Sequence, residues 1–160
     1  MSARTALPLL LVAAGLQAAA PAAAQFAAAI SPPRFEIDAQ PGKTTRSVIE
    51  IAHAGSTPGR YKFYTADWSM NPAGELDFRT GLGPDGAGCR PWVAVERREA
   101  TIPPASKLRY RFEVTPPPGA APQECRFAIM IESAEPTATG GVGNFPMSGR
   151  LAVIVYARVG

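Results

Sequence analysis

Lys107-Leu108-Arg109-Tyr110-Arg111-Phe112-Glu113-Val114-Thr115 is the stretch that decides the fold class. Leu108, Tyr110, Phe112 and Val114 share one parity, and Lys107, Arg109, Arg111 and Glu113 share the other. Successive side chains of a strand point to opposite faces, so this segment reads as a strand with one face in a core and one in water. Residues 125–133 repeat the pattern: Cys125, Phe127, Ile129 and Ile131 share a face, which predicts that Cys125 points inward.

Further out from that stretch, residues 47–53 put Ile49 and Ile51 on one face. Residues 60–68 carry Tyr61 and Phe63 on one parity and Tyr64, Ala66 and Trp68 on the other, so both faces hold apolar bulk. Residues 151–157 are apolar on both faces, as expected of a central strand or one covered on both sides. Turn clusters separate these runs: Gln40-Pro41-Gly42, Thr57-Pro58-Gly59, Asn71-Pro72-Ala73-Gly74 and Pro116-Pro117-Pro118-Gly119. Pro or Gly interrupts nearly every window able to hold a period near 3.6, so no helix is expected beyond the N-terminal segment. The expectation is an all-β, antiparallel β-sandwich of about seven strands, with two long loops at 80–90 and 134–149.

Residues 1–24 differ in composition from the rest. Met1 and Arg4 form a positive start, residues 7–16 are apolar, and Ala22-Ala23-Ala24 offers small residues for a signal peptidase. Pro8, Gln17 and Pro21 break the segment short of the roughly 20 clean apolar residues a membrane span needs. The expected organisation is a cleaved secretory signal peptide over 1–24 and one domain over 25–160, exported to the periplasm with no stable membrane insertion after cleavage. Loss of Arg4 lowers the net charge of +3 to +2, and the basic residues are dispersed, so a nucleic-acid partner is not expected. In an oxidising compartment two cysteines normally pair, so Cys89 and Cys125 are expected to form a disulfide; neither belongs to a CxxC redox motif.

Catalytic chemistry is scarce. His53 is the one histidine and sits at a strand end before Ala54-Gly55, the usual place of a hydrogen-bonded structural histidine. One His and two paired Cys do not make a zinc site. Gly81-Leu82-Gly83-Pro84-Asp85-Gly86 matches a dinucleotide pattern, but Cys89-Arg90-Pro91-Trp92 follows where the required helix would start. Asp67, Glu75 and Asp77 flank a turn without calcium-loop spacing. Trp92 is expected to pack near the cysteine pair. No enzyme activity, metal or cofactor is expected.

Several motifs in order carry a family resemblance. Ile30-Ser31-Pro32-Pro33-Arg34-Phe35, then Pro41-Gly42-Lys43, Ala66-Asp67-Trp68, Ile102-Pro103-Pro104 before an alternating strand, and the closing run 150–158 resemble the first, immunoglobulin-like domain of PapD-like periplasmic pilus-assembly chaperones. The resemblance covers nearly the whole chain after the signal peptide. It implies that Arg34 and Arg150, on the first and last strands, bind the terminal carboxylate of a client. It also implies that Phe145, Met147, Leu151 and Val153 form an apolar row for strand donation, since they share a parity opposite to Arg150. The expected function is a protein-binding or chaperone-like module assisting assembly of pilus or other envelope proteins. Its expected partner is an envelope or pilus subunit, with an outer-membrane usher as a second. The alternative is a structural pilus or surface subunit; a subunit should carry an alternating donor arm near its mature N-terminus, and residues 25–30 are mostly alanine.

Intact-mass measurement of the exported protein is expected to show cleavage after Ala24, leaving Gln25 first. A product retaining Met1 or Ser2 would overturn the compartment assignment.

Overall fold

The computed structural model describes residues 27–81, 88–135, 137–138 and 146–160, with only the backbone at 137–138 and 146–147. In chain order the strands are β1 (Ala28–Ser31), β2 (Arg34–Ala39), β3 (Thr45–His53), β4 (Gly59–Met70), β5 (Leu76–Arg79), β6 (Val93–Val95), β7 (Glu99–Ile102), β8 (Ser106–Val114), β9 (Gln123–Ser133), β10 (Thr137–Ala138), β11 (Pro146–Met147) and β12 (Arg150–Val159). A single 3-10 turn, Arg90–Trp92, precedes β6, and there is no α-helix among the described residues.

Two sheets face each other. One has the order β1-β3-β8-β6 and the other β2-β12-β9-β4-β5, with β7 also paired to β4. β10 and β11 form a separate small hairpin. The alternating strands read from the sequence are β3, β4, β8, β9 and β12, each extended by one or two residues at one or both ends, while β8 stops one residue early, at Val114. The excess over seven strands comes from short pieces: β5, β6 and β7 hold three or four residues each, and the first strand is divided into β1 and β2.

That division departs from a purely antiparallel sandwich. β1 pairs antiparallel with β3 in one sheet, whereas β2 pairs parallel with β12 in the other, Arg34 opposite Ile154. Pro32 and Pro33 lie between them and carry no N–H to donate to a ladder, so the strand breaks there and changes sheets.

The core follows the predicted parity. Ile49, Ile51, Phe63, Tyr110, Phe112, Val114, Phe127, Ile129, Ile131, Val153 and Val155 are almost wholly buried between the sheets. Aromatic contacts tie the two layers: Phe63 stacks on Tyr110 at 4.2 Å, and Phe112 meets Phe35 and Phe127 edge-on at 5.3 and 6.4 Å. At one end His53 is buried. Its Nδ1 lies 2.7 Å from the Tyr61 hydroxyl and its Nε2 2.8 Å from the Thr57 carbonyl, which makes Nε2 the donor to that carbonyl. Gly59 permits this close approach, since a Cβ there would lie 2.7 Å from the ring. The histidine is thus held by hydrogen bonds on both nitrogens.

Cys89 and Cys125 form the expected disulfide, with Cα atoms 5.7 Å apart. It ties the start of the 3-10 turn to the inward face of β9, and Trp92 packs against the same core cluster. The three turn carboxylates are each engaged: Asp67 by Arg90 at 3.3 Å, Glu75 by Asn71 at 2.7 Å and Asp77 by Arg79 at 3.4 Å. No group of three or more metal-ligating side chains occurs among the described residues.

Replacing Cys89 and Cys125 together by alanine is expected to lower stability by about 4 kcal/mol in the chain-entropy account of a closed loop of this length. Urea midpoints of parent and variant under non-reducing conditions check it; an unchanged midpoint would contradict the role given to the bridge.

Tyr110 supplies a pH test. It is fully buried, its hydroxyl donates to the Arg97 carbonyl at 2.5 Å, and burial pushes its pKa up to about 12. A phenol raised above its ordinary value of about 10 favours the folded state below that value, and the contribution is lost as pH climbs toward about 12. Tyr110→Phe is therefore expected to cost about 1 kcal/mol at neutral pH and to flatten the alkaline fall in stability. Part of that fall should remain, because burial also raises Tyr61 and Tyr64. Urea midpoints at pH values between about 9 and about 12 read the difference.

Candidate functional site

The outer face of the six-stranded sheet collects the candidate residues, because β12 sends its odd positions inward and its even positions out. Arg150, Ala152, Ile154, Tyr156 and Arg158 therefore line the outside of β12, and Arg34, Glu36 and Asp38 the outside of β2. This face is not uniformly polar. Ala66, Trp68, Ala128 and Met130 are buried on it, flanked by Tyr64, Phe78, Ala152, Ile154 and Tyr156. Apolar residues on both parities of β4 and β12, visible in the sequence, are accounted for by this second cluster.

Arg34 and Arg150 sit on that face in different surroundings. Arg34 pairs with Glu36 at 2.5 Å and lays its guanidinium 4.4 Å above the Tyr156 ring. Arg126, on β9, stands 5.7 Å from the same ring and 5.9 Å from that of Trp68. Arg150 reaches the other way, toward β4, with Nη1 3.4 Å from the Tyr64 hydroxyl. That hydroxyl donates to Glu132 at 2.7 Å, so its lone pairs are left to face the guanidinium. Burial pushes the Tyr64 phenol up while Arg150 pulls it down, and the same contact raises the Arg150 pKa above its ordinary value.

Register sets the separation. Arg34 lies opposite Ile154, four residues along β12 from Arg150, so the two Cα atoms are about 14 Å apart at strand spacing. The side chains line separate depressions. One, of about 180 Å³, holds Arg34 with Tyr156, Arg126 and Arg158; the other, of about 580 Å³, holds Arg150.

The expected donor row is divided. Val153 is fully buried in this domain's own core, and Leu151 packs against that core, because both share the inward parity of Val155. Phe145 lies outside the described residues. Met147 pairs through its backbone with Thr137, and its side chain is also outside them. Ahead of Ile154, residues 150–153 of β12 pair with β9 on one side, while β2 does not extend to them on the other. Among the described residues this leaves a stretch of sheet edge beside Arg150 without a neighbouring strand, which parity in the sequence does not reveal. Tyr64, Tyr156 and Arg126 also went unnoticed as site residues. Their one signal is a place opposite the core parity on strands that are apolar on both sides.

No protein-family model matches the sequence, and no curated protein does. Among solved structures, the class 5 fimbriae chaperone CfaA is similar at 15% identity and a TM-score of 0.53, over 81% of this chain and 55% of that one. The complex of Salmonella enterica SafA pilin with the SafB chaperone gives 10% and 0.54, over 84% and 55%. The ASH / PapD-like domain of human CEP192 gives 10% and 0.51, over 98% and 96%. The fold is that of a PapD-like domain. This PapD-like chain spans about half the length of the fimbrial chaperones it resembles. A family 123 glycoside hydrolase from Clostridium perfringens also shares the fold, over 26% of its own chain, so the architecture alone does not set an activity.

Proposed function

We propose that this chain is a periplasmic, chaperone-like module that binds a subunit of a pilus or another envelope assembly by offering it a strand edge. The observation that carries the reading is the edge of β12 at residues 150–153, which has no neighbouring strand among the described residues and is bordered by Arg150 and Arg34 in a PapD-like sandwich. An unpaired edge presents backbone N–H and C=O groups to an extended segment, and strand addition satisfies both partners. Fimbrial chaperones with the same fold, including one in complex with its pilin, support the choice of client class.

In this reading the client's terminal carboxylate rests over Ala152 and Ile154 between the two arginines. Arg34 leaves Glu36 and Arg150 leaves Tyr64 as the long side chains converge on it. Arg34 gives up an exposed ion pair and its place over the Tyr156 ring, and Arg150 a single hydrogen bond to a hydroxyl, so the main cost of the exchange is the ring contact. Two guanidiniums then hold one carboxylate through charge-assisted hydrogen bonds. Phe145 and Met147 extend the apolar contact ahead of the edge. Export after removal of residues 1–24 places the domain where such clients assemble.

Charge reversal tests the site. Arg34→Glu and Arg150→Glu are each expected to leave the thermal unfolding profile intact and to abolish co-purification of a periplasmic partner, at a cost of about 2 to 5 kcal/mol of binding. Mass spectrometry of the captured polypeptide reads its class, and amidating its C-terminus is expected to reproduce the loss. Binding by both variants at the parent's level would overturn the carboxylate assignment.

A further inference from the structure

Most arginines of the described chain face a carboxylate: Arg34 meets Glu36, Arg46 meets Glu113, Arg60 meets Glu99 and Arg158 meets Asp38. Arg98 and Arg150, like Arg109 on β8, do not. Among the described residues neither Arg98 nor Arg150 forms an ion pair, and both line the same depression of about 580 Å³. It lies where β4 is left open between β7, which pairs with residues 59–62, and β5, which pairs with residues 67–70. Phe63, Val93 and Val95 supply apolar lining. No acidic residue is among its described lining residues.

The surroundings fix the backbone of Arg98 and the side chain of Arg150. The Arg98 carbonyl accepts the Phe63 N–H at 2.8 Å, which pins its backbone to the apolar lining. Tyr64, fixed by Glu132, positions Arg150. A third guanidinium, Arg90, forms a wall: it donates to the carbonyls of Thr80 and Gly81 at 2.7 and 2.8 Å and pairs with Asp67, so its own charge is partly answered. Arg98 therefore brings a charge without an ion pair to the apolar lining, beside Arg150, whose cross-strand neighbour Glu132 is already engaged by the Tyr64 hydroxyl, and a bound anion would complement both guanidiniums.

We infer that this depression binds a small organic anion with an apolar body. A carboxylate or phosphate monoester head group sits between Arg98 and Arg150, and its hydrocarbon part lies on Phe63, Val93 and Val95. The volume falls within the range of about 300 to 1,000 Å³ usual for small-molecule sites. The inference does not rest on the client-binding reading, although Arg150 serves both.

Nuclear magnetic resonance titration of the exported protein tests it, with hexanoate, hexyl phosphate, hexanamide and inorganic phosphate as probes. At least one of the two amphiphilic anions is expected to shift the amides of Phe63, Val93 and Val95, and the stronger of them identifies the head group. Hexanamide, which lacks the charge, and inorganic phosphate, which lacks the apolar body, are expected to bind much more weakly. Arg98→Gln, at an exposed side chain that leaves the backbone bond in place, is expected to weaken the anion by about tenfold or more, the scale of one charge-assisted hydrogen bond. The proposal is overturned if neither amphiphilic anion shifts those amides, if hexanamide or inorganic phosphate binds as well as the better of them, or if Arg98→Gln binds like the parent. None of these probes is a peptide, so failure here leaves client capture standing.

Discussion

Pro32 and Pro33 cannot donate to a β-ladder, and much of the candidate site's geometry follows from that missing pair of N–H groups. The chain leaves β3 after Ser31 and cannot pair again through its own donors until Arg34. Pro33 still accepts, and its carbonyl takes the Ile154 N–H at 3.0 Å, so the parallel pairing with β12 begins there and no earlier. Residues 150–153 are consequently left without a β2 neighbour. The same offset puts Arg34 beyond Arg150 along the sheet and draws it toward Tyr156 instead.

Packing and charge divide the work. The buried rows of β3, β4, β8, β9 and β12, joined by stacked and edge-on aromatic rings, carry the stability, at roughly 1.5 to 3 kcal/mol for each fully buried large side chain. The ion pairs are mostly exposed, and such pairs are typically worth about 0 to 1 kcal/mol each. Surface arginines can therefore exchange one partner for another at little cost to the fold. Arg90 is the exception: its guanidinium is largely buried and holds three backbone carbonyls beside β4, making it a structural pin.

What the sequence made legible was whatever depends on parity. Leu108, Tyr110, Phe112 and Val114 identified β8, and Cys125 was placed inward by its phase with Phe127, which suited a bridge to Cys89. Both faces of residues 151–157 being apolar correctly implied a strand inside a sheet, between β9 and β2. Parity says nothing about which strand lies beside which, so the parallel pairing of β2 and the gap beside residues 150–153 were not readable. Nor was the ring contact of Arg34 with Tyr156, since it depends on register between segments 120 residues apart in the chain. Val153 shows the limit from the other side. Its parity matched an outward donor row as well as an inward core row, and only the second sheet decides between them.

The outer side of β12 joins these threads. Along one strand it carries a charge at Arg150, two apolar positions at Ala152 and Ile154, an aromatic ring at Tyr156 and a charge at Arg158. A strand exposed to water on that side has no need of Ala152 and Ile154, and a fully covered one would leave Arg150 and Arg158 nowhere to go. The alternation fits a face covered at its middle and open at both ends. Ala128 and Met130 on β9 are buried at the same level, and half-buried Ala152 and Ile154 pack against them, leaving a partly covered apolar middle between two charged ends. Arg158 is occupied by Asp38 at 2.9 Å, whereas Arg150 has only a hydroxyl. Of the two ends, the one beside residues 150–153 is therefore the one without a direct ion pair among the described residues, which is why the proposed client site and the inferred anion site both draw on Arg150.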